Sequence, residues 1–279
     1  MDFKEHFQRE GYVIFSDVFS PCEISNFRRV AQEIFSVQPS HHGDSKSVRM
    51  DILSHYPDFR PLLSHEKFLD GMRSLFGNNF ALLPETSIHD SLYGGWHRDT
   101  ESQEANGETF HWEAECEMGQ VAIYLQENSE EFAGGLTIVP RTHQQRDGFF
   151  RRFRIRFHYF YHREFHRRLK RIASLFYNFD RRPINSEDLD RRSFRVANKP
   201  GDVVVFDLRL FHRATHPQTT PVPIDKRKFA VFLVCGRTGV FTQKYRDYIS
   251  TRTDYTYLDG FKYPDEVRSK AERSEITLL

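Results

Sequence analysis

The chain has 279 residues, enough to bury one large core, and 40 Lys and Arg against 39 Asp and Glu leave a formal charge of +1. So even a balance does not announce nucleic acid as a partner of the whole protein. No apolar run approaches the roughly 18–20 residues that span a bilayer, and the first residues lack the basic and apolar pattern of a signal peptide. The three cysteines, Cys22, Cys116 and Cys235, have no metal-binding spacing and fit a reducing compartment. These features predict a cytoplasmic protein with one domain over residues 1–279.

Ser20 and Pro21 followed by Glu23 make a helix start, and Ile24, Phe27, Val30, Ala31, Ile34 and Phe35 form its apolar face. The stretch 80–93 reads as strand. After Asp99 comes a polar loop, 100–118, holding Phe110 and Trp112; its position predicts a lid or substrate wall over the preceding residues, or else a plain surface excursion. Strands are expected at 121–126, 136–139, 203–206 and 229–235. Short strands with helices near the N-terminus describe a mainly β protein with flanking helices, a double-stranded β-helix or jelly-roll barrel.

The chemistry concentrates in His97 and Asp99, which close the run from Gly94 to Asp99, and in His212 far downstream. Residues two apart on a strand point the same way, so His97 and Asp99 can reach one ion while Arg98 points elsewhere. His212 ends the β-branched and aromatic stretch that starts at Gly201 and can supply a third ligand. Two imidazoles and one carboxylate suit divalent iron with open coordination positions, whereas cysteine ligation would favour zinc or a cluster. His216, four residues on, is an alternative third ligand.

Residues 146–195 differ from the rest, with 15 Arg or Lys against 6 Asp or Glu. Phe153, Phe157, Phe160, Phe165, Leu169, Ile172, Phe176 and Phe179 recur at intervals of three to five, which predicts an amphipathic helix with an aromatic and a basic face. Such a helix can pack on the barrel with its arginines solvated or paired, meet anionic lipid, or present cations to an anionic substrate group. His158, His162 and His166 share one stripe of it without a carboxylate to complete a metal set. No recognised nucleic-acid module accompanies the charge, so nucleic acid is not the expected partner.

Four blocks of the chain together resemble the phytanoyl-CoA dioxygenase family of Fe(II)/2-oxoglutarate-dependent oxygenases. They are residues 7–15 with the helix start at 20–24; Trp96 to Asp99; 121–128 leading to 134–143; and Gly201 through His212 to the strand after Arg227. They span roughly residues 3–145 and 196–236. The resemblance implies that His97, Asp99 and His212 hold Fe(2+) and that a basic residue past the distal histidine binds the far carboxylate of 2-oxoglutarate. Arg227 best fits that place, because a planar guanidinium takes a carboxylate bidentately; Lys226 and Lys228 flank it, and a one-residue slip would move the role. The interval from Gly201 to His212 fits the family and favours His212 over His216. The turn Pro140, Arg141, Thr142 and His143 departs from the usual pattern, and His143 reads as structural.

The implied co-substrates are 2-oxoglutarate and O2, and the implied products are succinate and CO2. The carboxylate of Asp99 disfavours halogenation, since related halogenases leave that position to a chloride. Hydroxylation of an unactivated carbon of a small molecule, a secondary metabolite or a lipid-like acyl compound, is therefore expected. Desaturation, epoxidation and ring formation remain open outcomes. A non-catalytic jelly-roll binding module is the alternative of another class, since fold alone grants no activity.

Overall fold

The computed structural model describes residues 2–41, 43–160, 186–252 and 255–279. Its strands are β1 (Tyr12–Phe15), β2 (Val48–Met50), β3 (Ala81–Asp90), β4 (Met118–Tyr124), β5 (Leu136–Val139), β6 (Phe194–Arg195), β7 (Val203–Asp207), β8 (Phe211–Ala214), β9 (Phe229–Gly236) and β10 (Thr277–Leu278). The larger sheet runs β1-β7-β4-β9-β3-β10, with β2 also on β3, and the smaller runs β6-β5-β8. Every pair is antiparallel except β10 with β3. The fold is the expected jelly roll with flanking helices.

Alternation within the larger sheet divides the interior in two. Val121, Ile123, Val203, Val205, Val231 and Leu233 point to one face, where they pack on the N-terminal helices. Ala122, Tyr124, Val204, Phe206 and Ala230 point to the other, toward the smaller sheet. Both faces are buried, so these strands read as continuous apolar runs rather than as alternating apolar and polar residues.

The helix Pro21–Ser36 starts as its sequence predicts, with a capping box in which Ser20 N–H donates to Glu23 at 2.8 Å and Glu23 N–H to Ser20 Oγ at 3.3 Å. It buries Ile24, Phe27, Val30, Ala31 and Ile34 against the sheet, together with the helix Glu66–Phe76.

The strand expected at 203–206 is β7, which ends at Asp207; the chain then turns with Leu210 N–H donating to the Asp207 carbonyl at 2.9 Å, and β8, which carries His212, joins the smaller sheet. Arg209 grips the Asp207 carboxylate through Nε at 2.8 Å and Nη2 at 2.6 Å, and this clamp stabilises the turn. The basic segment 146–195 gives a helix at Phe149–Phe160, another at Ser186–Arg192, and β6. In the first of these Ile155 is buried while Phe149, Phe153 and Phe157 are exposed. The aromatic positions from Phe165 to Phe179, with His162 and His166, lie outside the described residues.

The C-terminal part, for which the sequence offered no assignment, adds the helices Val240–Ser250 and Asp265–Arg273 and then β10. Tyr245, Tyr248 and Ile249 of the first pack on Leu83, Met118 and Val234, so this helix closes one end of the barrel. Among the described residues no helix is long and apolar enough to cross a membrane.

Candidate metal centre and its chamber

His97 and His212 come together through the backbone: each N–H donates to the other's carbonyl at 3.0 Å. Asp99 N–H donates to the Leu208 carbonyl at 3.0 Å, so the connection between β7 and β8 fixes this ligand as well. One ligand atom from each of His97, Asp99 and His212 lies within 4.8 Å of the other two. Asp99 Oδ1 is 3.7 Å from His97 Nε2 and 3.6 Å from His212 Nε2.

The tautomers follow from the neighbours. His97 Nδ1 is 2.7 Å from the Gly95 carbonyl and His212 Nδ1 is 3.0 Å from the Leu210 carbonyl. A carbonyl can only accept, so both Nδ1 atoms carry the proton and both Nε2 lone pairs face Asp99. Orientation of this kind is what a metal-binding imidazole requires of its surroundings. Two neutral Nε2 donors and a carboxylate at these separations fit a divalent first-row metal. His216 is not part of the cluster. It lines a separate surface pocket with Ser91, Tyr93 and Arg227. His143 is buried in its turn, bonded at 2.9 Å to the Gln8 carbonyl.

The three residues open into a chamber of 440 Å³, walled by Leu92, Trp96, Leu136, Phe206 and Phe232 and carrying polar groups from β3, β4 and the start of β9. That volume is near the lower end of ligand pockets, roughly 300–1,000 Å³, so the enclosed ligands are small.

Arg227 does not enter the chamber. Its guanidinium bonds the Asp90 carboxylate with two N–H groups, Nε at 2.6 Å, and its side chain is 43% exposed toward the neighbouring surface pocket. Lys228 enters instead, because consecutive strand residues face opposite sides. It is 3% exposed, donates to the Leu92 carbonyl at 3.0 Å and stands near the rings of Tyr93 and Tyr124. Burial lowers its pKa to about 8. His89, also on the chamber wall, is held neutral by burial and by the Lys228 charge, with its pKa lowered to about 3. Ser87 Oγ lies 3.1 Å from His89 Nε2.

Farther along β3 the register with β9 shifts: Leu82 pairs with Cys235 but Thr86 with Leu233, so four steps on β3 face two on β9. The bulge contains Pro84 and Glu85, and Glu85 lines the chamber. Tyr245 Oη donates to Glu85 Oε2 at 2.6 Å and Tyr255 Oη donates to Oε1. Burial raises the Glu85 pKa, partly offset by these two hydroxyls and by the Arg252 charge.

The loop 100–118 is not the lid its position suggested. Among the residues that line the chamber none comes from it. It folds into a short helix, Glu101–Ala105, and a turn at Phe110–Trp112. The Arg98 guanidinium donates to the Thr142 and Gln145 carbonyls at 2.9 and 2.7 Å, pairs with Asp147 at 3.2 Å, and lies over the rings of Phe211 and Trp112. Met50 of β2, Leu92 and Tyr255 border the chamber in its place.

The chain matches the model of the family described as phytanoyl-CoA dioxygenase over residues 7–222. Among solved structures it is similar to EctD from S. alaskensis with bound Fe, at 18% identity and a TM-score of 0.52, covering 84% of this chain and 75% of that one. It is similar to the non-heme alpha ketoglutarate dependent epimerase SnoN from nogalamycin biosynthesis at 16% identity and a TM-score of 0.55, with 84% and 82% covered. HygX from Streptomyces hygroscopicus, with nickel and 2-oxoglutarate bound, gives 15% identity and a TM-score of 0.56, with 84% and 85% covered. Identities this low establish a shared fold. By sequence no curated protein matches the chain. The family match spans most of the chain and includes all three members of the cluster, and the chain belongs to the phytanoyl-CoA dioxygenase family of non-haem Fe(II)/2-oxoglutarate-dependent oxygenases.

Proposed function

We propose that the protein hydroxylates an unactivated carbon of a small molecule, with Fe(II) held by His97, Asp99 and His212 and 2-oxoglutarate anchored by Lys228. The observation that carries this reading is one chamber in which two oriented Nε2 atoms, one carboxylate and one buried ammonium converge between apolar walls. Iron, 2-oxoglutarate and O2 together supply hydrogen-atom abstraction and oxygen transfer, with release of succinate and CO2.

The protein's own part is binding, orientation and exclusion of water. The Gly95 and Leu210 carbonyls keep both imidazoles in the metal-binding tautomer. Lys228 offers its charge to the far carboxylate of the co-substrate, a role first expected of Arg227. Arg227 is neutralised by Asp90 on the other face of the strand, whereas Lys228 has a carbonyl and aromatic rings around it. A buried ammonium facing a carboxylate makes a strong charge-assisted bond. Trp96, Leu136, Phe206 and Phe232 keep the reacting region dry.

Hydroxylation is favoured by Asp99, whose carboxylate takes the position that a halide would need. EctD is described with 5-hydroxyectoine and SnoN as an epimerase, so the shared fold serves more than one outcome. Succinate released by purified protein with Fe(II), 2-oxoglutarate and O2 tests the reading. Release that disappears in Asp99→Ala supports it; no release under any condition, or equal release from Asp99→Ala, overturns it.

A further inference from the structure

Glu85 plays no part in holding iron or 2-oxoglutarate, yet the fold goes out of its way to present it. We propose that Glu85 anchors the substrate and that the substrate is a small molecule bearing a protonated amine, an inference that rests on the oxygenase reading above.

The bulge in β3 is the first support. Bulges re-aim side chains beside active sites, and proline, lacking an N–H, is tolerated in a strand at such places. The two extra β3 residues between Leu82 and Thr86 include Pro84 and deliver the next side chain, Glu85, into the chamber. Gln120 pairs with Val234 of β9, next to the Leu233 that faces Thr86, so Gln120 stands at about the level of Glu85. His89 and Tyr124 both pair with Ala230, near Lys228, at the other end. Four residues of strand separate the two levels, roughly 13 Å before the bulge shortens it. The chamber is therefore cationic at one end and anionic at the other, with the metal ligands also on its wall.

Hydrogen-bond direction supplies the second support. Tyr245 and Tyr255 both spend their phenolic protons on Glu85. What Glu85 and Tyr255 offer a ligand is then acceptors, namely the remaining lone pairs of the carboxylate, about two of its four sites, and the phenolic oxygen, while the Gln120 amide beside them can accept or donate. Arg252, the nearby cation, stacks on the Tyr255 ring at 4.2 Å and is not among the residues that line the chamber. A group with several N–H donors and a positive charge complements this surface. A plain acyl chain would leave the remaining lone pairs of this carboxylate without a donor, which is unfavourable in a site closed to water.

The competing account is that Glu85 merely ties the helix Val240–Ser250 and Tyr255 to β3. Three probes of similar size separate the two: cyclohexylmethylamine, cyclohexylmethanol and cyclohexanecarboxylate. Calorimetry on the full chain, both metal-free and with Fe(II) and 2-oxoglutarate under anaerobic conditions, reads their affinities. The proposal expects the amine to bind at least tenfold more tightly than the other two. Glu85→Gln abolishes that preference and leaves 2-oxoglutarate affinity within twofold. Should Glu85→Gln fail to fold, Glu85→Asp, which withdraws the carboxylate by one methylene, lowers amine affinity several-fold. Equal binding of the three probes, no amine binding, or an amine preference that survives these variants overturns the proposal. A visible Fe(II)–2-oxoglutarate band without amine preference counts against Glu85 alone. Amine preference without the band counts against the oxygenase reading.

Discussion

Arg227 and Lys228 are neighbours in sequence that serve opposite faces of the sheet: the guanidinium closes on Asp90 beside a surface pocket, and the ammonium bonds the Leu92 carbonyl inside the chamber. Their different environments give different expected responses to substitution. Lys228→Met is expected to weaken 2-oxoglutarate at least 100-fold, since it removes a charge-assisted bond in a dry site. Arg227→Gln should change that affinity less than threefold. Calorimetric titration of 2-oxoglutarate into the Fe(II) protein checks both; the reverse order of effects would return the anchoring role to Arg227.

Affinity should also depend on pH through Lys228. Its pKa in the free protein is lowered to about 8, so the ammonium is largely intact at neutral pH and is lost as pH rises through that value. The dissociation constant for 2-oxoglutarate is expected to be flat below pH 8 and to rise about tenfold per unit above it. Lys228→Arg, which stays charged throughout, should flatten the profile.

The same residue should cost stability while its charge is uncompensated. A lysine whose pKa falls from 10.5 to about 8 on folding binds fewer protons in the native state than in the unfolded one between those values. The stability cost is therefore complete below pH 8 and fades as pH rises toward 10.5. At neutral pH the shift amounts to roughly 3 kcal/mol, part of which the lost Leu92 bond offsets. Lys228→Met is expected to raise stability of the ligand-free protein by about 1–2 kcal/mol in urea unfolding even as it loses 2-oxoglutarate. A destabilised Lys228→Met would contradict this.

Legibility in the sequence divides along the same lines. That His97, Asp99 and His212 cluster was readable because the pattern lies in residue type and spacing, and Leu136–Val139 because it is a short apolar run between turn residues. The side of the sheet taken by Arg227 was not readable, since β9 is buried on both faces and shows no polar alternation to set its phase. Glu85 was hidden because a bulge is a property of pairing, although Pro84 inside a strand-like run marks the place. The helix Val240–Ser250 carries Phe241, Tyr245, Tyr248 and Ile249 at helical spacing, a signal that could have located it. Placing Asp99 depended on the Leu208 carbonyl, a long-range contact with no local signature.

His89 makes folding sensitive to acid. It is held neutral, and its pKa is depressed from 6.5 to about 3, by desolvation first and by Lys228 second. Below pH 6.5 the unfolded chain takes up a proton that the native state refuses, so this contribution to stability is lost as pH falls toward 3, at about 1.4 kcal/mol per unit. His89→Gln should flatten the part of the stability profile between pH 6 and 4 that this residue causes. An unchanged slope in urea titrations at those pH values would exclude His89 as its source.

Arg98 should matter to folding although it touches nothing in the chamber. Its side chain is 1% exposed and that of Asp147 is 6% exposed. Removing one partner of so buried a pair costs about 3–5 kcal/mol. Arg98→Ala is expected to lose about that much in chemical denaturation, with a larger share than Asp147→Ala because two carbonyl bonds and two ring contacts go with it. A loss below 1 kcal/mol would mean that the segment 142–147 is not held through Arg98.

The central claim is that His97, Asp99 and His212 form the iron site at which 2-oxoglutarate binds. Anaerobic Fe(II) and 2-oxoglutarate added to the purified protein should produce a weak visible charge-transfer band, read by absorption spectroscopy. That band should vanish in His97→Ala and His212→Ala and persist in His216→Ala. No band in the wild-type protein, or a band that survives His212→Ala and is lost in His216→Ala, would contradict the account.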